Sequence, residues 1–225
     1  MAFESFINVS APASDLDLLT LEQLKDAVDV SGSTYDAKLK LLGARVSAAI
    51  TAACQVEGDG INPPTLLKET VTETFRRQSF WANGAWPFAD SEKMRHSLYL
   101  KRFPVASVIS VVADGTMLDP SSYELRAADG ALVRLSNDTE TPWLNWKIVV
   151  SYSAGFASVP DDLALCAAQL AQILWWQSGR DPNQKQAFLE GVSRREWFAN
   201  PHDGDLVPKS LLGSLAKGGY INRLV

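Results

Sequence analysis

The sequence predicts an α+β protein in which helical segments near both ends bracket a small antiparallel sheet. Three observations carry that expectation. Apolar residues recur every three or four positions over 39–53 and again over 163–174, the spacing of one helix face. Residues 69–77 (ETVTETFRR) instead alternate, with Val71 and Phe75 on one side and Thr72, Thr74 and Arg76 on the other, as in a half-buried strand. Between these regions the chain is punctuated by Asp114-Gly115 and Asp129-Gly130, pairs suited to hairpin turns because glycine tolerates positive φ. With 225 residues, 46% hydrophobic and 21% charged, the chain has the composition of a folded protein with a sizeable core.

The opening residues are rich in Ala, Ser and Asp, and 1–19 reads as a loosely held segment. Thr20-Leu21-Glu22-Gln23 is a capping box that starts a short helix with Leu21, Leu24 and Val28 on one face. Ser31-Gly32-Ser33 breaks it, and Ser33 is the expected cap of a second helix carrying Leu39, Leu42, Val46, Ile50 and Ala53. Gly58-Asp59-Gly60 and Pro63-Pro64 end that helix, leaving a helical hairpin. Strands follow at 69–77, 97–103, 105–113, 122–126, 131–135 and 147–153, five or six in all. Pro160, Asp161 and Asp162 then begin a helix that runs to Ser178 and stops at Gly179. One face of it gathers Leu163, Cys166, Leu170, Ile173 and Leu174. The other holds Leu165, Ala168, Gln172, Trp175 and Trp176, with no charge. A helix lacking a charged face is buried on both sides, here against the sheet or against a neighbouring subunit. Beyond a polar stretch at 181–207, residues 208–217 suit a last short helix, and Gly218-Gly219 leads to an alternating tail, Tyr220–Val225.

Little here suggests catalysis. Cys54 and Cys166 lie within helical apolar patterns, as buried structural thiols do. They form no disulfide scaffold and no metal-ligand spacing. His96 and His202 have no Cys or paired acid at ligand spacing, so no metal site is expected. Phosphate-binding loops, dinucleotide glycine fingerprints and nucleophile elbows are all missing from the sequence, so no catalytic residue and no cofactor is expected. Asp161 and Asp162 read as helix-terminal charges rather than an acid–base pair. No apolar run reaches the roughly 20 residues of a membrane span, and MAFESFINVS lacks the pattern of a signal peptide.

The formal charge is −5, unevenly placed. Residues 1–36 hold seven acids and one base, whereas 208–225 hold Lys209, Lys217 and Arg223 with no acidic side chain. This asymmetry suits head-to-tail or partner contacts better than a nucleic-acid footprint, although chance placement of surface charge produces similar patterns. Seven tryptophans are the one unusual count. Trp81 and Trp86 lie in a Gly/Pro loop with Phe88, and Trp143 and Trp146 border a strand. Such rings stack on sugars or bases when exposed, or else cover the sheet or a subunit contact.

Three stretches in order resemble one family: the opening hairpin (LTLEQLKDAVDVSGSTYDAKLKLLGARVSAAI), the strand series (TVTETF, then SLYLKRFPVASVISVVADGTMLDPSSYEL) and the junction VVSYSAGFASVPDDLALCAAQLAQILWWQ. Together they are similar to the head–tail connector, or adaptor, proteins of long-tailed double-stranded DNA phages, prophages and gene transfer agents, over residues 18–180. The most specific piece is Tyr152-Ser153-Ala154-Gly155-Phe156 running through Val159-Pro160 into the Leu/Ala-rich helix.

The resemblance implies a helical bundle (20–60 and 157–217) with a β-rich insertion (65–156) and a C-terminal arm (218–225). It implies a structural virion part rather than an enzyme: a homo-oligomeric ring, commonly of twelve subunits, beneath the portal. The ring would extend the DNA channel without specific DNA binding and present a platform to the next neck, stopper or tail protein. No membrane is involved, and assembly would take place in the host bacterial cytoplasm. Tyr220, Ile221, Asn222, Arg223, Leu224 and Val225 match the arm that reaches the portal in related connectors. Leu165, Gln172, Trp175 and Trp176 are the expected subunit contact, and Trp81, Trp86 and Phe88 a neck or tail contact loop. The rival expectations are a tail-associated carbohydrate-binding module using the loop tryptophans and a hydrolase using His96 with Asp90 or Glu92.

Overall fold

Alternation in Glu69–Arg77 builds the central strand pairing of the molecule. Val71 and Phe75 are buried, and so are Glu69 and Glu73 on the same face. The computed structural model describes residues 3–77, 96–178 and 206–221, and the backbone of 186–189 and 193–196. The chain divides into two compact units.

Among the described residues, the first unit takes 3–14, 56–77 and 96–158. Its strands are β1 (Phe3–Ala11), β2 (Glu69–Arg77), β3 (Ser97–Tyr99), β4 (Val105–Ala113), β5 (Thr116–Met117), β6 (Tyr123–Arg126), β7 (Ala131–Ser136), β8 (Thr139–Thr141) and β9 (Lys147–Ala154). One antiparallel sheet runs β1-β2-β9-β4-β5. The other runs β3-β7-β6, with β8 also paired to β7. Their inner faces share one core of Val71, Phe75, Leu98, Val111, Leu132, Ile148, Val150 and Tyr152.

Among the described residues, the second unit takes 15–55, 159–178 and 206–221. It contains α1 (Leu21–Ala27), α2 (Asp36–Ala53), α3 (Asp161–Gln177) and α4 (Lys209–Lys217). Helix α1 packs on α2 and α3, α2 on α3, and α3 on α4. Gly43 of α2 gives Leu24 of α1 room to approach, since a Cβ there would meet Leu24 Cδ1 at 2.8 Å. A two-stranded hairpin, β10 (Gln186–Leu189) with β11 (Ser193–Glu196), completes the described elements.

This arrangement corrects the expected fold class. The chain is not a helical bundle with a small inserted sheet. It is largely β: nine strands in two antiparallel sheets and two more in the β10–β11 pair, with four α-helices, among the described residues. The expectation missed β1, because Ala, Ser and Asp dominate the first twenty residues while the strand itself is FESFINVSA. An edge strand half-exposed along its length has a weaker hydrophobic signature than an inner one. It also missed the short β5 and β8, which exist only because longer neighbours offer them partners. At the start of α2, Tyr35 rather than Ser33 is the capping residue, with no side-chain cap bond. The capping box at Thr20 and Gln23 forms as expected, with both reciprocal hydrogen bonds.

Candidate functional site

The described residues hold no cluster of three or more metal-ligating side chains, and no helix among them is long and apolar enough to cross a membrane. Cys54 and Cys166 are free, buried thiols; burial pushes Cys54 up to about 12, so it is a poor nucleophile. His96 is exposed, while Asp90, Glu92 and His202 lie outside the described residues.

The uncharged face of α3 splits in two. Leu165 and Trp176 are 59% and 69% exposed, and Gln172 lies between them, also exposed. Spacings of seven and four residues put these three on one stripe. Trp175 faces elsewhere: its ring meets Tyr35 edge-on at 5.6 Å, and Lys38 Nζ sits 4.5 Å above it. Trp175 and Leu174 line one wall of an apolar groove of about 830 Å³ between α2 and the C-terminal end of α3. Leu41, Leu42 and Ala49 line the other wall, Leu206 adds an exposed edge, and Lys38 and Arg45 are the charged residues among the described lining.

The C-terminal residues expected to form a free arm begin as a helix cap. Tyr220 N–H donates to Leu215 O at 3.0 Å and Gly219 N–H to Ala216 O at 3.2 Å. With Gly219 at φ +75°, this is a Schellman closure of α4. Tyr220 Oη also donates to Asp162 Oδ1 at the start of α3. Ile221 is half-buried, and Asn222, Arg223, Leu224 and Val225 lie outside the described residues. So do Trp81, Trp86 and Phe88.

The tryptophans flanking β9 do not form a platform. Trp143 is buried, donating Nε1–H to Leu132 O at 3.3 Å. Trp146 is exposed beside the Arg77 guanidinium, 5.2 Å from its ring.

Sequence reasoning missed a polar cluster inside the β-rich unit. Arg102, on the turn after β3, is 2% exposed and places Nη2 3.0 Å from Glu69 Oε2. Its Nη1 donates to Thr65 O at 3.2 Å. Glu73, fully buried, accepts at Oε2 from Lys101 N–H and Tyr152 Oη, both at 3.1 Å. Burial raises Glu73 to about 7, against the opposing pull of these bonds and of the Ser5 hydroxyl. Tyr152 in turn accepts from Arg102 N–H at 3.3 Å and is held well above its ordinary value, first by burial and then by Glu73. The available signal was Glu69 and Glu73 at the same parity as Val71 and Phe75. The cluster ties the 100–104 turn to β2 and β9.

No protein-family model matches this chain, and neither does any curated protein. Solved structures do resemble it. A chain from the virion of a native gene transfer agent particle has a TM-score of 0.49 and 18% identity, covering 83% of this chain and 90% of that one. A chain from the neck of the empty particle, computed with C6 symmetry, has 0.49 and 19%, covering 83% and 91%. One from the native neck, computed with C12 symmetry, has 0.48 and 18%, covering 78% and 85%. These structural neighbours are neck and virion components.

Proposed function

We propose that this chain is a structural virion protein, a subunit of the head–tail connector ring that sits beneath the portal. The reading is supported by the ordered resemblance of three sequence stretches over 18–180 to connector proteins. The observation that carries it is the stripe Leu165–Gln172–Trp176, solvent-exposed and uncharged within the stretch that bears the resemblance. Burying a Leu and a Trp in a partner interface contributes about 1.5–3 kcal/mol for each aliphatic or aromatic side chain, and tryptophan is a frequent interface anchor. In this reading the ring extends the DNA channel, its net negative charge avoids gripping phosphates, and its far side docks the next neck protein. Residues 222–225 are the portal-reaching tip.

Negative-stain microscopy of the purified protein with and without a portal ring tests this. Stacked ring density is expected with portal, weakened by the L165E/W176E variant while its thermal midpoint stays unchanged. Removal of 222–225 is expected to abolish portal docking and leave the fold, including the Tyr220 cap, intact. Portal rings that recruit no protein at excess concentration sink the reading.

A further inference from the structure

We propose that the apolar groove between α2 and α3 receives the Asp15-Leu16-Asp17 segment of a second copy of this chain, forming a head-to-tail contact. The groove is walled by Leu41, Leu42, Leu174 and Trp175, and the charged residues on its rim among the described residues, Lys38 and Arg45, are both cations. Lys38 Nζ donates to Ser178 Oγ at 3.0 Å and lies over Trp175, and it makes no ion pair among the described residues. Arg45 is exposed and makes no ion pair among the described residues. The occupant that fits is an exposed apolar side chain flanked by carboxylates.

The same unit carries that shape elsewhere. Leu16 is 39% exposed between Asp15 and Asp17. Asp15 Oδ1 accepts from Asp17 N–H at 3.0 Å, which fixes the Asp15 carboxylate against the backbone of the segment. No cation pairs with either among the described residues. Burial and the neighbouring Asp15 charge raise Asp17 from its ordinary value, so an incoming cation would relieve it. Leu18 and Leu19 anchor the segment in the core, and Leu18 N–H donates to Ser47 Oγ at 2.9 Å. A knob held this way loses little entropy on docking.

The two surfaces lie at opposite ends of α3. Asp15 and Asp17 border Asp161 and Ala164 at its start, whereas the groove takes in Leu174 and Ser178 at its finish. Seventeen residues separate them by about 25 Å. A contact between unlike, well-separated surfaces of one body is heterologous, and repeats around a closed ring or along a filament. The proposal rests on the ring reading above and names the two faces that meet.

Two variants test it, each checked by circular dichroism and thermal melting. D15K/D17K and K38E/R45E are each expected to weaken self-association about tenfold or more in sedimentation velocity, since like charges then meet. An equimolar mixture is expected to restore it, because each knob then finds an opposite groove. Restoration distinguishes lost complementarity from misfolding. In parallel, L16C/L41C treated with a short bismaleimide is expected to give a ladder of covalent oligomers, the native thiols being buried. Linkage only within one chain, which would place the chain's own segment in the groove, overturns the proposal. So does a mixture that fails to reassociate, or unchanged assembly of both variants. Rings that still form and dock on portal without this crosslink refute this contact alone; crosslinked ladders that never bind portal refute the connector reading alone.

Discussion

Glu73 gives the fold a pH dependence of its own. Its carboxyl is fully buried, and burial raises it from 4.5 to about 7. Between those values the folded chain keeps a proton that the unfolded chain has released, so stability falls as pH rises through the window. The full contribution is on the order of 3 kcal/mol. Urea unfolding at a series of pH values is expected to lose stability between about pH 4.5 and pH 7, and E73Q to flatten that slope. An equal slope in E73Q would assign the effect elsewhere. Glu69 and Arg102 form a different buried pair. Burial raises Glu69 while the Arg102 charge opposes it, so the pair compensates its own desolvation only in part. Removing one partner strands the other. R102M is expected to cost about 3 kcal/mol, and the double variant E69L/R102M distinctly less, a difference that chemical denaturation resolves.

At the scale of elements, the junction after β9 depends on one glycine. Gly155 has φ +91°, and a Cβ there would lie 2.2 Å from Leu67 O. The close approach lets Phe156 N–H donate to Leu66 O at 2.8 Å and Lys68 N–H to Phe156 O at 2.9 Å. A side chain therefore meets both a forbidden backbone region and a carbonyl. G155A is expected to destabilise the protein by about 3 kcal/mol or more, read as a lowered urea midpoint; a midpoint within error of the parent would refute the account. The glycine sits in the most specific piece of the sequence resemblance, where the pattern and the packing ask for the same residue. β1 shows another dependence on distant chain. Its register slips between Val9 and Ala11, and Val9 N–H donates to Asp59 Oδ2 at 3.1 Å. Asp59 also accepts from the N–H groups of Ile61 and Asn62, which hold its carboxyl far below the usual range. The Gly58-Asp59-Gly60 turn, legible as a helix stop, thus also fastens an edge strand fifty residues earlier.

For the whole molecule, the two units divide the labour of stability and surface. The β-rich unit holds the buried polar cluster and the two-sheet core. The helical unit presents an exposed uncharged stripe, a cationic apolar groove and an acidic knob. The acidic front visible in the sequence resolves accordingly: Glu4 belongs to β1, whereas Asp15 and Asp17 belong to the knob. Much of the helical unit was readable, because a 3.6-residue repeat is local and α2 and α3 each show it over four or more turns. The outer face of α3 was readable only as uncharged; that Trp175 turns to Tyr35 while Trp176 faces solvent depends on where α2 lies.

The sequence by itself determined the four helical segments, the long strands, the Asp-Gly turns and the want of an active-site motif. Each of these is written in residues adjacent along the chain. Only the tertiary structure decided that the protein is mainly β, because β1 takes its hydrogen bonds from β2, some sixty residues away, and β5 and β8 are too short to carry a pattern of their own. It also decided that Glu69, Glu73, Arg102 and Tyr152 meet inside the core. Charged side chains at a buried parity contradict the local pattern, and only partners brought in from elsewhere in the chain make their burial tolerable.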